Sequence, residues 1–543
     1  MTASQDPHTR QRAPESENPA RVTGGGLLRS TSIVSGMTLL SRILGLARDI
    51  VIARYFGVTV ATDAFFTANR IPNMLRRFFA EGAFSQGFVP VMGRYRERHS
   101  HDEAKALIDA VAGTFGLILF LVTLVGVIAA PLLVAVVAPG FIGDDGRFDL
   151  ATLMLRFTFP YLLFVSLTAF AGGILNTYGK FGAPAFTPVI LNVVLIAAAV
   201  VLSPNLDEPG MALAYGVFAA GAIQLAFQVP FLAGIKAIPR PRWRPAHEGV
   251  RRIGRLMLPA IFGSSVAQIN VLIGGVIASL LGVGKISLLY YSDRLMEFPL
   301  GLFGIALATV TLPTLSRQHA AGSAEGFTRT LDWSMKLIIL IATPSAVGLI
   351  LLAEPLIATM FYGGEFTAND VSLAALSLQA FAIGLIGFSF VKILAPAYFA
   401  REDTKTPVRI ALVALCVNVI LSLLLAFWLT QIGYAGTHAG LAFAVSVAAL
   451  VNAGLLYRGL SREGMIRPSV GWRMLLVRIA VANAIMAYGL FVIAKPLDWW
   501  LLASVTERIA WLTVEVTAGI VAYFGVLVAL GLRPGMLRLS ESE

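Results

Sequence analysis

The sequence predicts an all-α protein that crosses a membrane many times, and three observations carry that prediction. Of its 543 residues 57% are apolar and only 13% are charged, against about 25% charged in an ordinary soluble domain. The mean hydropathy is +0.77. The apolar residues fall into runs long enough to span a bilayer, about 20 residues each, separated by Gly, Pro and charge clusters. A soluble enzyme, a disordered chain and a disulfide-knit secreted domain are excluded. The single cysteine, Cys416, lies in an apolar run and reads as a small buried hydrophobe.

Residues 1–28 are polar and carry Pro7, Pro14, Pro19 and Gly24 to Gly26, the composition of a disordered tail with no cleavable leader behind it. Fourteen helical segments follow, at about 31–57, 61–95, 103–138, 149–179, 182–203, 209–236, 249–282, 284–318, 325–353, 367–399, 404–430, 434–461, 471–495 and 507–531. Alternate connections are rich in Arg and Lys, among them Arg94, Arg96 and Arg98, then Arg240, Arg242 and Arg244, then Arg458 and Arg462. The others carry Asp144, Asp145, Asp207, Glu354 and Glu365. The basic set belongs on the cytoplasmic side, and an even number of spans puts both termini there.

The chain also repeats. ARYFGV at Ala53 matches ASLLGV at Ala278, VPVMGR ending at Arg94 matches LPTLSR ending at Arg317, and LNVVLI at Leu191 matches VNVILS at Val417, with offsets of 225, 223 and 226. Spans 1–6 (29–236) and 7–12 (249–461) are therefore read as two copies in the same orientation, with a substrate site between two rocking lobes. Spans 13 and 14 (471–531) and a short cytoplasmic tail (532–543) lie outside the repeat.

Charges inside these spans need a reason, because an Arg at the centre of a span costs roughly 2.5 to 3.5 kcal/mol on the insertion scale. Span 1 carries Arg42, Arg48, Asp49 and Arg54; span 2 carries Asp63, Arg70, Arg76, Arg77 and Glu81; span 8 carries Asp293, Arg294 and Glu297. At about 1.5 Å per residue Arg42, Arg48 and Arg76 lie too deep to snorkel easily. Local spacing pairs Arg42 with Asp49, Asp63 with Arg70, and Arg77 with Glu81 as buried salt bridges, and Asp293, Arg294 and Glu297 read as an ion-pair network. Arg42, Arg48, Arg76 and Arg294 outnumber the nearby carboxylates and read as the lining of a water-filled cationic cavity for a phosphate or pyrophosphate, which the guanidinium fork pairs bidentately. Arg156 and Lys392 lie near span ends, where snorkelling is the ordinary behaviour. The six histidines form no convincing metal set, and there is no Walker A motif. The positive net charge of +11 is distributed as a topology signal, not as a nucleic-acid surface.

Four stretches carry a family resemblance: SRILGLARDIVIARYFG from Ser41, ATDAFFTANRIPNMLRRFFAEGAFSQGFVPV from Ala61, YYSDRLMEFPLGLFGIALATVTLPTLSR from Tyr290 and VKILAPAYFAREDTKTPV from Val391. They resemble the MurJ/MviN lipid II flippases of bacteria over about residues 29–531. The resemblance implies the multidrug/oligosaccharidyl-lipid/polysaccharide exporter fold, with two six-helix lobes around a cavity and two further helices forming a groove for the lipid tail. It implies lipid II as cargo, membrane phospholipids as surroundings, the bacterial cytoplasmic membrane as location and the peptidoglycan-synthesis machinery as a candidate partner. Its cavity arginines match Arg42, Arg48, Arg76 and Arg294, and its acidic and small motif positions match Ser41, Gly45, Asp63, Glu81, Asp293 and Glu297. Some members resemble sodium-coupled transporters with Asp and Asn ligands on spans 7 and 11. Here residues 251–292 hold no acid and span 11 offers Asn418 and Ser422 without a carboxylate, so no metal site and no cofactor are expected.

The leading expectation is a flippase working by alternating access. A drug or polysaccharide-lipid exporter of the same fold is the nearest alternative. A polytopic glycosyl- or phosphotransferase is a third, disfavoured because the longest outer loops are short and have no catalytic constellation.

Overall fold

The computed structural model describes residues 24–77, 83–143, 146–469 and 471–533. Among them the chain is helical, apart from turns, irregular connections such as 237–244 and one isolated bridge between Gly363 and Phe366. Glu81 and its expected pairing with Arg77 lie outside the described residues, as do residues 1–23 and 534–543 of the two tails.

Every segment marked from the sequence contains helix. The first half runs through α1 (Gly24–Phe56), α2 (Val60–Arg76), α3 (Ala83–Arg98), α4 (His101–Ile128), α5 (Ala130–Val137), α6 (Arg147–Thr158), α7 (Tyr161–Thr177), α8 (Gly182–Ala197) and α9 (Met211–Gly234). The second half runs through α10 (Glu248–Ser279), α11 (Lys285–Pro299), α12 (Ile305–Ala320), α13 (Ala324–Leu351), α14 (Ala353–Phe361), α15 (Ala368–Phe399), α16 (Lys405–Gln431) and α17 (Thr437–Arg462), and then α18 (Trp472–Ile493), α19 (Leu497–Leu502) and α20 (Val505–Ala529). Several expected spans are broken where the sequence demands it. Pro131 opens α5, and Pro160 separates α6 from α7 because it has no N–H to continue the ladder. Pro299 ends α11, and a π-helical turn over Leu300–Gly304 joins it to α12.

Among the described residues ten helical stretches, with α6 and α7 taken together as one, are long and apolar enough to cross a membrane. The others expected to cross, α1, α2 with α3, and α11 with α12, hold the charges and breaks described below, and of α10 the stretch Gln268–Ser279 counts as a shorter apolar helix. The surface suits lipid: Phe427, Trp428, Phe491 and Leu502 all stand outward, as such side chains do where the solvent is hydrocarbon. Cys416 belongs to this exposed surface on α16, which corrects the expectation of a buried thiol; the apolar run that suggested a core position is a lipid-facing one.

The largest apolar cluster joins the two halves at the face where α1 ends. Ile52 and Phe56 of α1 and Phe65 and Phe66 of α2 pack with Tyr291 and Leu295 of α11 and with Phe361 and Phe366. A second cluster ties Phe84, Phe88, Phe115 and Phe170 to Ile253 and Met257 of α10. The α18–α20 pair sits on α13 through Leu340, Leu352, Ile479, Met486 and Leu490, with the Tyr523 hydroxyl donating to the Leu340 carbonyl at 2.7 Å.

Helices α15 and α17 touch backbone to backbone. A Cβ on Gly384 would lie 2.6 Å from Ser446 Cα, and one on Gly387 2.7 Å from Ala449 C; small residues at such crossings are what lets membrane helices approach. Gly387→Val should therefore force the pair apart and destabilise the protein by about 1 to 3 kcal/mol. Thermal unfolding of the purified variant checks this, and an unchanged midpoint would refute the close contact.

Candidate substrate cavity

The charges of α1 and α11 meet around one carboxylate. Asp49, fully buried, accepts from Arg48 Nη2 at 2.7 Å and Nε at 3.0 Å and from the Tyr290 hydroxyl at 3.1 Å through Oδ1, and from Arg294 Nε at 2.7 Å through Oδ2. Arg48 Nη1 reaches Asn192 Oδ1 on α8 at 3.1 Å, and the Asn192 amide donates to the Ser41 carbonyl at 3.0 Å. Arg294 Nη1 also pairs with Glu297 at 3.1 Å. Gly45 is buried where α1 passes this cluster; a Cβ there would stand 3.6 Å from Arg294 Nη2. Two guanidiniums from opposite halves of the chain thus share one buried anion.

Beside this cluster lies a cavity of about 400 Å³ lined by Arg42, Leu46, Arg294, Glu297, Phe298, Leu300, Gly301 and Lys392. Its lining holds three cations and one carboxylate. Arg42 is exposed to it and reaches so near the π-helical turn that a Cβ on Gly301 would lie 2.6 Å from Arg42 Nη1. The sequence-marked arginines Arg42 and Arg294 are brought together here. Arg48 stands behind them with only 14% of its side chain exposed. Arg76, at the end of α2, bonds to Asn73 at 3.3 Å and is not among the residues lining this cavity. Lys392 was missed: its position near a span end suggested snorkelling, but α15 points it inward. The π-helical turn was missed as well; Pro299 was the available signal.

The pairings expected from local spacing are corrected by contacts between distant helices. Asp49 is engaged by Arg48 and Arg294, not by Arg42. Asp63 is not taken by Arg70. Its carboxylate accepts from the Gly284 N–H at 2.6 Å, the Ser287 N–H at 2.9 Å and the Ser287 hydroxyl at 2.6 Å, capping the start of α11, with Arg147 at 3.9 Å. Arg70 packs on Gly275 of α10, with Asp63 and Asp293 within electrostatic reach, and Arg77 reaches Gln268 at 3.4 Å. Asp293 is in electrostatic reach of Glu297 as well as of Arg294, Arg70 and Arg77. Asn418 donates to Asn270 of α10 at 2.7 Å and accepts from Ser422 at 3.3 Å, so these oxygens serve a polar link between α10 and α16.

A helical membrane protein with a cationic cavity between two charged helices falls in the class of transporters. Its fold is shared with an inward-facing multidrug transporter of the MATE family, with a TM-score of 0.62 at 14% identity over 78% of this chain and 95% of that one. A solved structure of a lipid II flippase MurJ in an inward closed conformation matches with a TM-score of 0.75 at 27% identity, covering 93% of this chain and 99% of that one. The family model for the lipid II flippase MurJ matches residues 52–511. A probable lipid II flippase MurJ of Vibrio cholerae is 45% identical over 514 residues, 93% of this chain and 97% of that protein. The lipid II flippase MurJ of Burkholderia cenocepacia is 42% identical over 517 residues, covering 94% and 99%. The chain belongs to the MurJ family.

Proposed function

We propose that this chain is a lipid II flippase: it moves a polyprenyl-pyrophosphate-linked peptidoglycan precursor from the inner to the outer leaflet of the cytoplasmic membrane. The observation that carries the reading is the cavity in which Arg42, Arg294 and Lys392 face one carboxylate, Glu297. Such a lining favours an anion over the cationic or neutral cargo of a drug exporter, and guanidinium forks match pyrophosphate oxygens. Arg42 and Arg294 are assigned to the pyrophosphate directly. Arg48 acts through Asp49 by fixing Arg294, and Arg76, which lies outside this lining, is assigned to the anion at another point of its path.

Fourteen spans in two parallel repeats are the proposed layout, with both termini cytoplasmic. The same pairing of helices in both halves supports it: α1 with α8, α2 with α6 and α7 with α9 in the first, answered by α10 with α16, α11 with α15 and α15 with α17 in the second. The lobes would rock about the cavity, with the Asp63 cap on α11 closing the outer side and the lipid tail lying along α18 and α20.

The test is leaflet-resolved accessibility of lipid II in cells depleted of the protein and then rescued. Arg42→Ala should leave membrane abundance normal, since Arg42 is exposed, and slow export roughly tenfold to a hundredfold, as expected for losing a hydrogen bond of about 1.5 to 3 kcal/mol to a charged group. Arg42→Lys should be impaired too. Full rescue by an abundant Arg42→Ala protein would remove the anion-binding role.

A further inference from the structure

The turn at 362–366, between α14 and α15, is gripped from three sides. On the first, the Glu365 N–H donates to the Arg54 carbonyl of α1 at 2.9 Å. Gly57 and Gly364, both at φ +60°, permit this contact: a Cβ on Gly57 would collide with the Glu365 carbonyl, and one on Gly364 with that of Arg54. On the second, the buried rings of Phe361 and Phe366 flank Tyr291 of α11 at 5.1 and 5.6 Å between centroids. On the third, the buried guanidinium of Arg508, on α20, lies 4.7 Å from the Tyr362 ring and donates to the carbonyls of Ala358 at 3.4 Å and Leu501 at 3.1 Å. Arg508 therefore sits at the C-terminal end of α14, where it shares the Ala358 carbonyl with the Tyr362 N–H and the helix dipole favours a cation.

We infer that this turn couples opening of the gate that the Asp63 cap closes between α2 and α11 to a displacement of α20, with Tyr362 and Arg508 as the positioning residues that pass the motion on. The inference rests on the alternating-access reading above. The contact with α1 is backbone on backbone, with no side chain between to stretch, so the parting of the halves must break it as a unit. Once α1 withdraws, the turn loses one of its three supports and is free to shift. The link to α20 behaves differently. A buried guanidinium stripped of its ring and carbonyls is strongly unfavourable, so α20 follows the turn instead of releasing it. The opening of the gate is thereby delivered to the helix pair proposed to hold the lipid tail, and headgroup and tail are handled in step.

The experiment uses the full chain in lipid nanodiscs with Cys416 replaced and paramagnetic labels at exposed positions. One pair, Asp207 and Ile432, reports the separation of the two halves; the other, Leu502 and Ile432, reports α20 and its preceding helix against the second half. Undecaprenyl pyrophosphate is the added probe. Both distances should change together in the otherwise unaltered protein. In Tyr362→Leu and Arg508→Gln the first should still change while the second stays fixed, and Arg508→Lys should restore part of the coupled change. A second distance that still follows the first in both variants, or that never moves while the first does, overturns the coupling. A first distance that never changes removes the alternating-access reading itself, and the coupling with it.

Discussion

Asp49→Asn is expected to abolish rescue of lipid II export and to lower the abundance of the protein in the membrane. The carboxylate is fully buried and is the common acceptor for Arg48, Arg294 and Tyr290. Neutralising it leaves two guanidiniums from opposite halves of the chain facing each other with one neutral amide between them. Removing one partner of a buried ion pair costs about 3 to 5 kcal/mol. The share from Arg294, 36% exposed, is discounted for solvent screening, so the loss falls at the lower end, roughly 3 kcal/mol. That is a large fraction of a typical total stability of about 5 to 15 kcal/mol. Arg294→Ala should behave differently: Asp49 keeps Arg48 and Tyr290, so abundance should hold while export fails. The double variant Asp49→Asn with Arg48→Gln should recover abundance but not export, because it removes the more buried of the two uncompensated charges together with the anchor of Arg294. Membrane abundance, thermal unfolding and leaflet accessibility measured on the three variants decide the matter. Normal stability in Asp49→Asn would mean that the carboxylate is not the keystone of the cluster.

This cluster also marks the boundary of what the sequence could disclose. Apolar runs and their Gly and Pro breaks located the long helical segments but not α14 or α19, which lie between them, because in a bilayer the length of a helix and its polarity are dictated by the surroundings. The sign and depth of Arg42 and Arg294 announced a cationic cavity for the same reason: a charge within a span needs a purpose. Partners were not legible. Arg48 and Asp49 are adjacent in sequence, and Arg294 is 245 residues from the carboxylate it shares; spacing along one helix cannot reveal a contact that only the packing of α1 against α11 creates. Asp63 failed by the same route, since its donors are the first N–H groups of a helix in the other half. Lys392 was hidden by its nearness to a span end, where solvent and cavity are indistinguishable from sequence alone.

Asp63 gives the second large effect. Its carboxylate belongs to α2 and its three donors belong to the start of α11, so the bonds at 2.6, 2.9 and 2.6 Å hold the two halves together at one face. A carboxylate at the N-terminus of a helix is favoured by the free N–H groups and by the helix dipole, and bonds to an ionised acceptor are about twice as strong as neutral ones. Asparagine keeps the shape but not the charge, and its amide turns an N–H₂ toward donors that want an acceptor. At about 1.5 to 3 kcal/mol for a hydrogen bond to a charged group, the closed arrangement loses roughly a factor of ten to a hundred against the open one. Val58 packs on Gly284 beside this cap, so a cysteine pair at Val58 and Lys285, with Cys416 replaced, reads the closed state directly. Cross-linking should be efficient in the otherwise unaltered protein, should block export reversibly, and should fall at least tenfold when Asp63→Asn is added. If the cross-link forms equally well in the Asp63→Asn background, or if export continues through it, the cap on α11 does not hold the gate and rocking of the two lobes is the wrong mechanism.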